Sequence, residues 1–387
     1  MTQKAELFDA LAQARAQTDN LFNLVRSDAL YERPIPERHR IIFYLGHLEA
    51  FDRNLWGPAL DLPAFHPTFD RLFSFGIDPD SNDLPKDEPA DWPGEREVRD
   101  YNERARGQLD AALDRVPEEL MHVAIEHRLM HAETFAYILH HLPFEQKIAP
   151  PYSLAPAGPT PESRMVEIPA GAALLGRRRG DGFGWDNEFE GHEVEQPAFA
   201  IGQHKVTNGE YREFLKAGAT APHFWVCHEG EWYYRGMFED MPLPLDWPVY
   251  VSFEQARAYA RWKGKALPTE PQFHRAAYDS ASDFAGENVD FRSWDPEPVT
   301  ASKPNAFGVS QMVGNGWEWT ATRFAPFDGF RPFPFYPGYS ANFFDGQHYV
   351  LKGGSPRTAR CLLRQSFRNW FRPGYPYIYA TFRLVEN

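Results

Sequence analysis

The sequence has few cysteines and no long apolar run. Cys227 and Cys361 are the only cysteines among 387 residues, which is too few for a disulfide framework and compatible with a reducing compartment. No apolar stretch approaches the length of a membrane span, and the N-terminal residues lead directly into an amphipathic helical pattern without a targeting segment. We therefore expect a soluble, cytoplasmic protein.

The sequence also lacks an excess of positive charge. It contains 40 Lys and Arg against 54 Asp and Glu, a formal net charge of -14, and the basic residues are scattered. A surface of this charge repels nucleic acids and anionic membranes, so we expect neither as a partner. At 43% hydrophobic and 15% aromatic residues, the chain can bury two cores, and we expect two domains. The sequence leaves the oligomeric state open.

Apolar residues recur at helical spacing in the first part of the chain. The pattern predicts four helices, at residues 4–30, 38–55, 95–115 and 117–142, and an irregular loop rich in Pro and Asp at 63–93. Four successive helices predict an up-and-down bundle, whose core is a common place for metal ligands. We assign residues 1–146 to this bundle and residues 147–163, rich in Pro and Ala, to a linker.

Beyond the linker, helical periodicity becomes sparse, and Gly, Pro, Trp and Tyr become frequent. Strand patterns at 165–168 and 348–351 and one clear helix at 252–263, with Ser252 as its N-cap, predict an irregular domain over residues 164–387. The predicted fold class is therefore α+β, with a helical bundle followed by a domain that mixes strands and helices.

His127 and His131 lie four residues apart in the fourth predicted helix. Their imidazoles project from one helix face and can bind one metal ion, although such a pair also occurs by chance in packed helices. The zinc-protease pattern H-E-x-x-H is absent because residue 128 is Arg. Glu133 lies about 200° around the helix from His131, so we do not expect it to bind the same ion. A catalytic metal site needs a third protein ligand from elsewhere.

Several separated motifs in the second half resemble the formylglycine-generating-enzyme family, which has a C-type-lectin-like fold. In chain order they are Lys205-Val-Thr-Asn208, Trp262 to Glu270, Asn305 to Gly308, Gly314 to Trp319, Gly353 to Ser355 and Phe382-Arg383. The first half resembles a DinB-type bundle, and His127 to Glu133 matches the H-x3-H-x-E signature of ergothioneine-type sulfoxide synthases. The two halves in this order resemble the EgtB family of non-haem iron enzymes.

The resemblance implies a third metal ligand on the second helix, where His47 matches the family pattern. It also implies that the ion is Fe(II), bound by His47, His127 and His131. Three neutral imidazoles leave about three coordination positions open, as in the facial-triad oxygenases. The substrates implied are O2, a sulfur or selenium donor, and hercynine, whose imidazole C2 gains a sulfur that is oxidised in the same reaction.

The resemblance further assigns substrate-facing residues in the second half. Tyr336, in the Tyr-x-x-Tyr loop, would be the catalytic phenol that donates a proton or hydrogen atom, and Tyr339 would hydrogen-bond the acceptor. Asn369 would bind the carboxylate of hercynine or an ordered water, while Trp370 and Phe371 would face its quaternary ammonium, which aromatic faces attract. From the sequence pattern alone, packing would explain these aromatics equally well.

Three departures from the family pattern concern the donor. Phe371 and Tyr375 stand where the γ-glutamylcysteine-using synthases have Asp and Arg, and Met130 precedes the second helical histidine where some members have Gln. The Arg-containing loop of the first domain is replaced by residues 73–79. A donor with two carboxylates would lack its bidentate arginines. These features favour a seleno- or thio-sugar donor, as in the selenoneine-synthase branch, with cysteine next.

Four other interpretations remain open. The first is an ergothioneine-type synthase that uses cysteine or γ-glutamylcysteine. A copper-dependent formylglycine-generating oxidase is disfavoured because Cys361 has no neighbouring cysteine. A DinB-type, metal-dependent thiol transferase would need no oxygen. A lectin-like binding module fused to a metal-stabilised bundle would have no catalytic activity.

Overall fold

The computed structural model of the chain describes residues 3–74, 76–77, 83–278 and 286–386. The chain divides into two compact units, Met1–Pro151 and Tyr152–Asn387. Residues 75, 78 and 79 of the loop that replaces the family's Arg-containing loop lie outside the described residues. The predicted domain limits at 146 and 164 stay predictions.

Helices form the first unit. In chain order they are α1 (Gln3–Phe22), α2 (Ile41–Ala59), α3 (Pro67–Leu72), α4 (Glu95–Asp110) and α5 (Glu118–His141). Helix α1 packs against α5, and α2 packs against α3, α4 and α5, so α2 and α5 adjoin at the centre of the unit. None of the described helices combines the length and apolar composition that crossing a membrane would require.

The observed helices differ from the predicted ones mainly at their ends. The first helix stops at Phe22, and the chain continues into a short 3₁₀ turn at Ser27–Ala29. The predicted loop contains an additional helix, α3. The sequence pattern did not indicate it because α3 has only six residues and lies in a Pro-rich segment. The side chain of His66 caps this helix by accepting a hydrogen bond from the Phe69 amide at 3.2 Å.

A buried ion cluster joins α2 to α5. Arg128 donates to Glu49 at 3.0 Å and to Asp52 at 2.7 Å, and all three side chains are almost fully buried. Arg106 of α4 donates to the same Glu49 carboxylate at 2.8 Å. Burial alone would raise the pKa of the Glu49 carboxyl, but Arg128 and Arg106 outweigh it and hold the pKa below its usual value. The cluster therefore fixes α2, α4 and α5 relative to one another.

The described residues of the second unit form three helices and twelve short strands. The helices are α6 (Asn208–Lys216), α7 (Phe253–Trp262) and α8 (Glu270–Ala277). The strands are β1 (Met165–Ile168), β2 (Gly171–Leu175), β3 (His192–Gln196), β4 (Phe199–Gly202), β5 (Trp225–His228), β6 (Glu231–Arg235), β7 (Asp240–Pro242), β8 (Trp317–Arg323), β9 (Tyr349–Lys352), β10 (Asn369–Phe371), β11 (Ala380–Thr381) and β12 (Val385–Glu386).

The strands belong to four small sheets. Strands β1, β4 and β12 form one antiparallel sheet, β2 and β3 a hairpin, and β5, β6 and β7 an antiparallel meander. The fourth sheet has the order β10-β9-β8-β11, in which β11 runs parallel to β8. Strand β10 is thus an edge strand, paired with β9 from Asn369 to Phe371.

Each helix of the second unit begins with a capping box. The side chains of Thr207, Ser252 and Thr269 each accept a hydrogen bond from the backbone amide three residues later. This confirms the predicted N-cap at Ser252. The sequence pattern missed α6 and α8 because helices of nine and eight residues show too few turns for a clear periodicity.

A second buried ion cluster lies at the centre of the second unit. Glu318 on β8 accepts hydrogen bonds from Lys205 at 2.6 Å and from Arg383 at 2.8 Å, and all three side chains are fully buried. Burial alone would raise the pKa of the Glu318 carboxyl, but Arg383 and Lys205 outweigh it and lower the pKa. The cluster joins the segment that follows β4, strand β8 and the segment that precedes β12.

We expect Glu318→Gln to lower the free energy of unfolding of the second unit by about 3–5 kcal/mol, because it leaves two buried cations without their counter-ion. Urea denaturation followed by tryptophan fluorescence measures this change. The matched control is Glu213→Gln, which breaks an exposed pair with Lys216 on α6 and should leave the midpoint unchanged.

The pH dependence of unfolding, compared between wild type and Glu318→Gln, tests whether Glu318 is ionised in the folded protein. Because its pKa is lowered in the folded state, its stabilising contribution is complete above the pKa of an unfolded glutamate, about 4.3, and is lost as the pH falls further. The difference between wild type and Glu318→Gln should therefore shrink below that pH. A difference that stays constant from pH 7 to pH 3 would contradict an ionised Glu318.

Candidate functional site

Three histidines meet between α2 and α5 in the first unit. His47 lies on α2, and His127 and His131 lie one turn apart on α5. Their ligand nitrogens all lie within 4.8 Å of one another, and His47 Nε2 is 3.1 Å from His131 Nε2. The structure therefore brings together the three residues that the sequence analysis proposed as ligands.

The backbone and neighbouring rings orient these imidazoles. His47 Nδ1 lies 2.7 Å from the carbonyl oxygen of Phe73, so the proton resides on Nδ1 and Nε2 presents its lone pair. The ring of Phe43 stacks on His47 at 4.8 Å, and Phe51 stacks on His127 at 3.4 Å. Gly46 allows the close approach of Phe73, because a Cβ at that position would lie 2.7 Å from its ring.

All three imidazoles are neutral near pH 7. Burial is the main cause, and it lowers the pKa of His47 to about 4 and those of His127 and His131 well below the usual value. The neighbouring imidazoles add to this effect, since a proton on one disfavours a proton on another. Neutral imidazoles keep the lone pairs that a metal ion needs.

The geometry fits one divalent ion. Two nitrogens bound at right angles to one ion, each at about 2.1 Å, lie about 3.0 Å apart, which matches the separation of His47 and His131. Without an ion, the same contact is a hydrogen bond between the two imidazoles. Among the described residues, these three histidines are the only group of His, Cys, Asp or Glu with at least three donor atoms close enough to share an ion.

Tyr336, the predicted catalytic residue, and Tyr339, a predicted substrate-binding residue, lie on a compact segment of the second unit. Two successive turns form it, in which the amide of Tyr336 donates to Phe333 and the amide of Tyr339 donates to Tyr336, both at 3.2 Å. The two tyrosine rings are 5.5 Å apart, and Tyr339 stacks at 4.0 Å on Trp185, which is fully buried. Packing against Trp185 thus holds the ring of Tyr339 near that of Tyr336.

The other predicted substrate residues form strand β10. Asn369, Trp370 and Phe371 are half-buried at this sheet edge. Trp370 stacks on Phe324 at 4.2 Å and meets Tyr339 edge-on at 5.4 Å, which brings β10 together with the tyrosine segment.

Phe371 lies against an aromatic neighbour. Its ring stacks on Tyr375 at 5.4 Å with an angle of 8°. The two positions that carry charged residues in γ-glutamylcysteine-using synthases therefore form a neutral aromatic pair here.

Several groups that shape these sites were missed from the sequence. The carbonyl of Phe73 orients His47, and no side-chain pattern reveals a backbone acceptor. Phe43 and Phe51 lie four residues before and after His47 on the same helix face, a spacing that could have indicated stacking rings. Glu49 and Asp52 are acidic residues inside an otherwise apolar helix, and this pattern could have indicated a buried cationic partner such as Arg128.

The chain matches one family model in each unit. Residues 10–148 match the DinB superfamily, and residues 152–387 match the family described as Sulfatase-modifying factor enzyme 1-like domain. This agrees with the predicted order of a DinB-like helical bundle and a formylglycine-generating-enzyme-like domain, and it confirms the predicted fold class.

Known relatives match along the whole chain. Hercynine oxygenase of Mycolicibacterium thermoresistibile is 31% identical, over 99% of this chain and 95% of its own length. Hercynine oxygenase of Mycolicibacterium smegmatis is 31% identical, over 100% of this chain and 99% of its own length. Ergothioneine biosynthesis protein 1 of Schizosaccharomyces pombe is 29% identical over 94% of this chain, and the chain spans 54%, about half, of that longer protein.

The matched bundle, the matched second domain and these relatives together define the family of this two-domain chain. The chain belongs to the EgtB-like sulfoxide synthase family, which includes the hercynine oxygenases. The names of these three relatives refer to hercynine or ergothioneine and not to selenium. The selenoneine-synthase branch therefore lacks support, and the ergothioneine-type alternative fits the relatives better.

We expect His131→Ala to lose bound iron while the bundle stays folded, because His131 is only half-buried and lies outside the Arg128 cluster. Loss of a ligand should weaken the affinity by more than about a hundredfold, beyond the effect of removing an outer hydrogen-bond partner. Metal analysis after equilibrium dialysis measures the iron, and circular dichroism measures the helices.

The matched control is His122→Ala, which removes another half-buried histidine from α5. It should bind iron as the wild type does. If His131→Ala keeps its iron, the three-histidine site is wrong. If His131→Ala unfolds the bundle instead, the metal has a structural role, as the lectin-like interpretation requires.

Proposed function

We propose that the chain is an oxygen-dependent, iron(II)-containing hercynine sulfoxide synthase of the ergothioneine type. The observation that carries this proposal is the convergence of three neutral imidazoles, two of them buried and that of His131 half-buried, between α2 and α5. The full-length similarity to proteins named hercynine oxygenase supports the choice of hercynine as the acceptor.

The proposed reaction balances with a small thiol and one O2. The C2–H bond of the hercynine imidazole and the S–H bond of the thiol are broken, and a C–S bond and an S=O bond form. One oxygen atom of O2 goes to sulfur, and the other leaves as water with the two hydrogens. Iron(II) held by three neutral imidazoles supplies the one-electron chemistry of O2 and open positions for the substrates.

The second unit is proposed to supply the proton donor. Burial, with the nearby charge of Asp186, raises the pKa of Tyr336 to about 12, so its phenol stays protonated at neutral pH. A protonated phenol can donate a proton or hydrogen atom during the oxygen chemistry, which is the role that we propose for Tyr336.

The other substrate-facing residues are proposed to bind hercynine. The hydroxyl of Tyr339 would hydrogen-bond hercynine, and the amide of Asn369 would bind its carboxylate or an ordered water. The rings of Trp370 and Phe371 would attract its quaternary ammonium. These roles agree with the half-buried position of β10.

The donor is proposed to be a thiol without a second carboxylate. The aromatic pair of Phe371 and Tyr375 offers no charge to a carboxylate, so cysteine suits it better than γ-glutamylcysteine. A seleno- or thio-sugar is the second candidate, and the neutral, flat surface of this aromatic pair is the observation that favours it.

A donor competition with the iron-loaded protein tests this proposal. Hercynine is supplied with equal concentrations of cysteine, γ-glutamylcysteine, a 1-thio-sugar and a 1-seleno-sugar, with and without O2, and mass spectrometry identifies the products. We expect an oxygen-dependent hercynine sulfoxide with cysteine, and incorporation of one labelled oxygen atom from isotopically labelled O2.

Variants separate the two units in the same experiment. His131→Ala should lose the sulfoxide and Tyr336→Phe should form it much more slowly, while Tyr233→Phe, at a half-buried tyrosine on β6, should form it as the wild type does. Preferred use of γ-glutamylcysteine or of a sugar would replace the proposed donor and keep the reaction. Absence of any oxygen-dependent product would overturn the proposal in favour of a thiol transferase.

A further inference from the structure

A buried turn at residues 185–188 carries an unusual concentration of polar groups. Trp185, Asp186, Asn187 and Glu188 are all at most 1% exposed, and the last three form a single 3₁₀ turn. Buried carboxylates and amides destabilise a fold unless they make specific hydrogen bonds, so their partners indicate what the turn does.

The first half of this turn contacts the tyrosine segment. The hydroxyl of Ser340 donates to the carboxylate of Asp186, and the side-chain amide of Asn187 donates to the same hydroxyl at 3.1 Å. Ser340 directly follows Tyr339, whose ring stacks on Trp185. Three consecutive residues of the turn therefore contact two consecutive residues of the segment.

The pKa of the Asp186 carboxyl is affected both by its burial and by the tyrosine segment. Burial raises the pKa of the Asp186 carboxyl to about 6, and the Ser340 hydroxyl and the backbone groups of Phe333 and Asn187 act in the opposite direction. Phe333 starts the two turns that contain Tyr336 and Tyr339. These two turns and Ser340 make up the segment 333–340, which Asp186 contacts at its end through Ser340.

The second half of the turn contacts the chain that leads into β10. Glu188 accepts hydrogen bonds from Arg364 at 2.8 Å and from Ser366 at 2.5 Å, and from the backbone amide of Trp185 at 2.8 Å. Ser366 lies three residues before Asn369, the first residue of β10. Both predicted substrate-facing segments are therefore attached to one turn.

Asp186 differs in its partners from the other carboxylates of this unit that are at most 1% exposed. Glu188, Glu270 and Glu318 each form an ion pair with Arg364, Arg368 or Arg383. Within the described residues, Asp186 forms no such ion pair, and its partner is the neutral hydroxyl of Ser340. A buried carboxylate without a cation destabilises the folded state, because its desolvation is not offset by an ion pair. Such groups concentrate at functional sites.

We propose that the turn 185–188 positions both substrate-facing segments, and that Asp186 is a positioning residue that acts on Tyr336 and Tyr339 through the hydroxyl of Ser340. The expected effect on turnover depends on the proposed function, whereas the expected effect on the structure of residues 333–340 does not. Glu188 performs the corresponding task for β10.

Hydrogen exchange of the full-length protein tests the positioning directly and requires no activity. We expect Ser340→Ala and Asp186→Ala to speed exchange of the amides in residues 333–340 by about ten- to a hundredfold, the range for loss of one charge-assisted hydrogen bond. Exchange in the β1, β4 and β12 sheet should not change. Asp181→Asn, an exposed aspartate of the preceding loop, is the matched control and should exchange as the wild type does.

Steady-state kinetics then test the link to Tyr336. Asp186→Asn and Ser340→Ala should lower kcat by about tenfold or more. In a Tyr336→Phe background the same substitutions should have little further effect, because their effect operates through that phenol. A purely structural role predicts instead equal losses in both backgrounds.

The outcomes separate this inference from the proposed function. Unchanged exchange in residues 333–340 overturns the positioning role whatever the activity. Additive kinetic losses overturn the action through Tyr336. If the wild type makes no sulfoxide with any donor, the proposed function fails, while accelerated exchange in Ser340→Ala still supports the turn as the anchor of the segment.

Discussion

The first unit depends on holding three uncharged imidazoles around one point inside an apolar bundle. Each of these rings is oriented by contacts with the surrounding bundle. The carbonyl of Phe73 fixes His47, and the ring of Phe51 fixes His127. Arg128, beside His127, would repel a cation at this point if its charge were not balanced. Glu49 and Asp52 supply that balance, and the same ion cluster fixes the helices that carry the ligands.

The second unit separates the residues that hold the fold from those that would face a substrate. The motif residues Lys205, Glu318 and Arg383 form one buried ion cluster. Glu270, from another motif, forms a bidentate pair at 3.0 and 3.1 Å with Arg368, the residue directly before Asn369. These motif residues therefore stabilise the fold of the second unit. The proposed choice of donor depends on positions between these motifs, of which Phe371 and Tyr375 are examples.

The sequence revealed most of the first unit because local spacing determines helices and the pairing of His127 with His131. His47 could not be assigned from spacing, because it approaches His131 across 84 residues of chain; only the family resemblance indicated it. In the second unit, strand β1 was visible, whereas α6 and α8 were too short. The contact between Ser340 and Asp186 spans 154 residues, and a buried hydrogen bond between such distant polar residues leaves no periodic pattern in the sequence.

The central claim is that His47, His127 and His131 together bind one iron(II) ion. X-ray absorption spectroscopy of the iron-loaded protein tests it most directly, because the multiple-scattering signal counts coordinated imidazole rings. We predict three imidazoles at about 2.1 Å from the iron in the wild type and two in His47→Ala. A signal from two or fewer imidazoles in the wild type, or one that His47→Ala leaves unchanged, would contradict it.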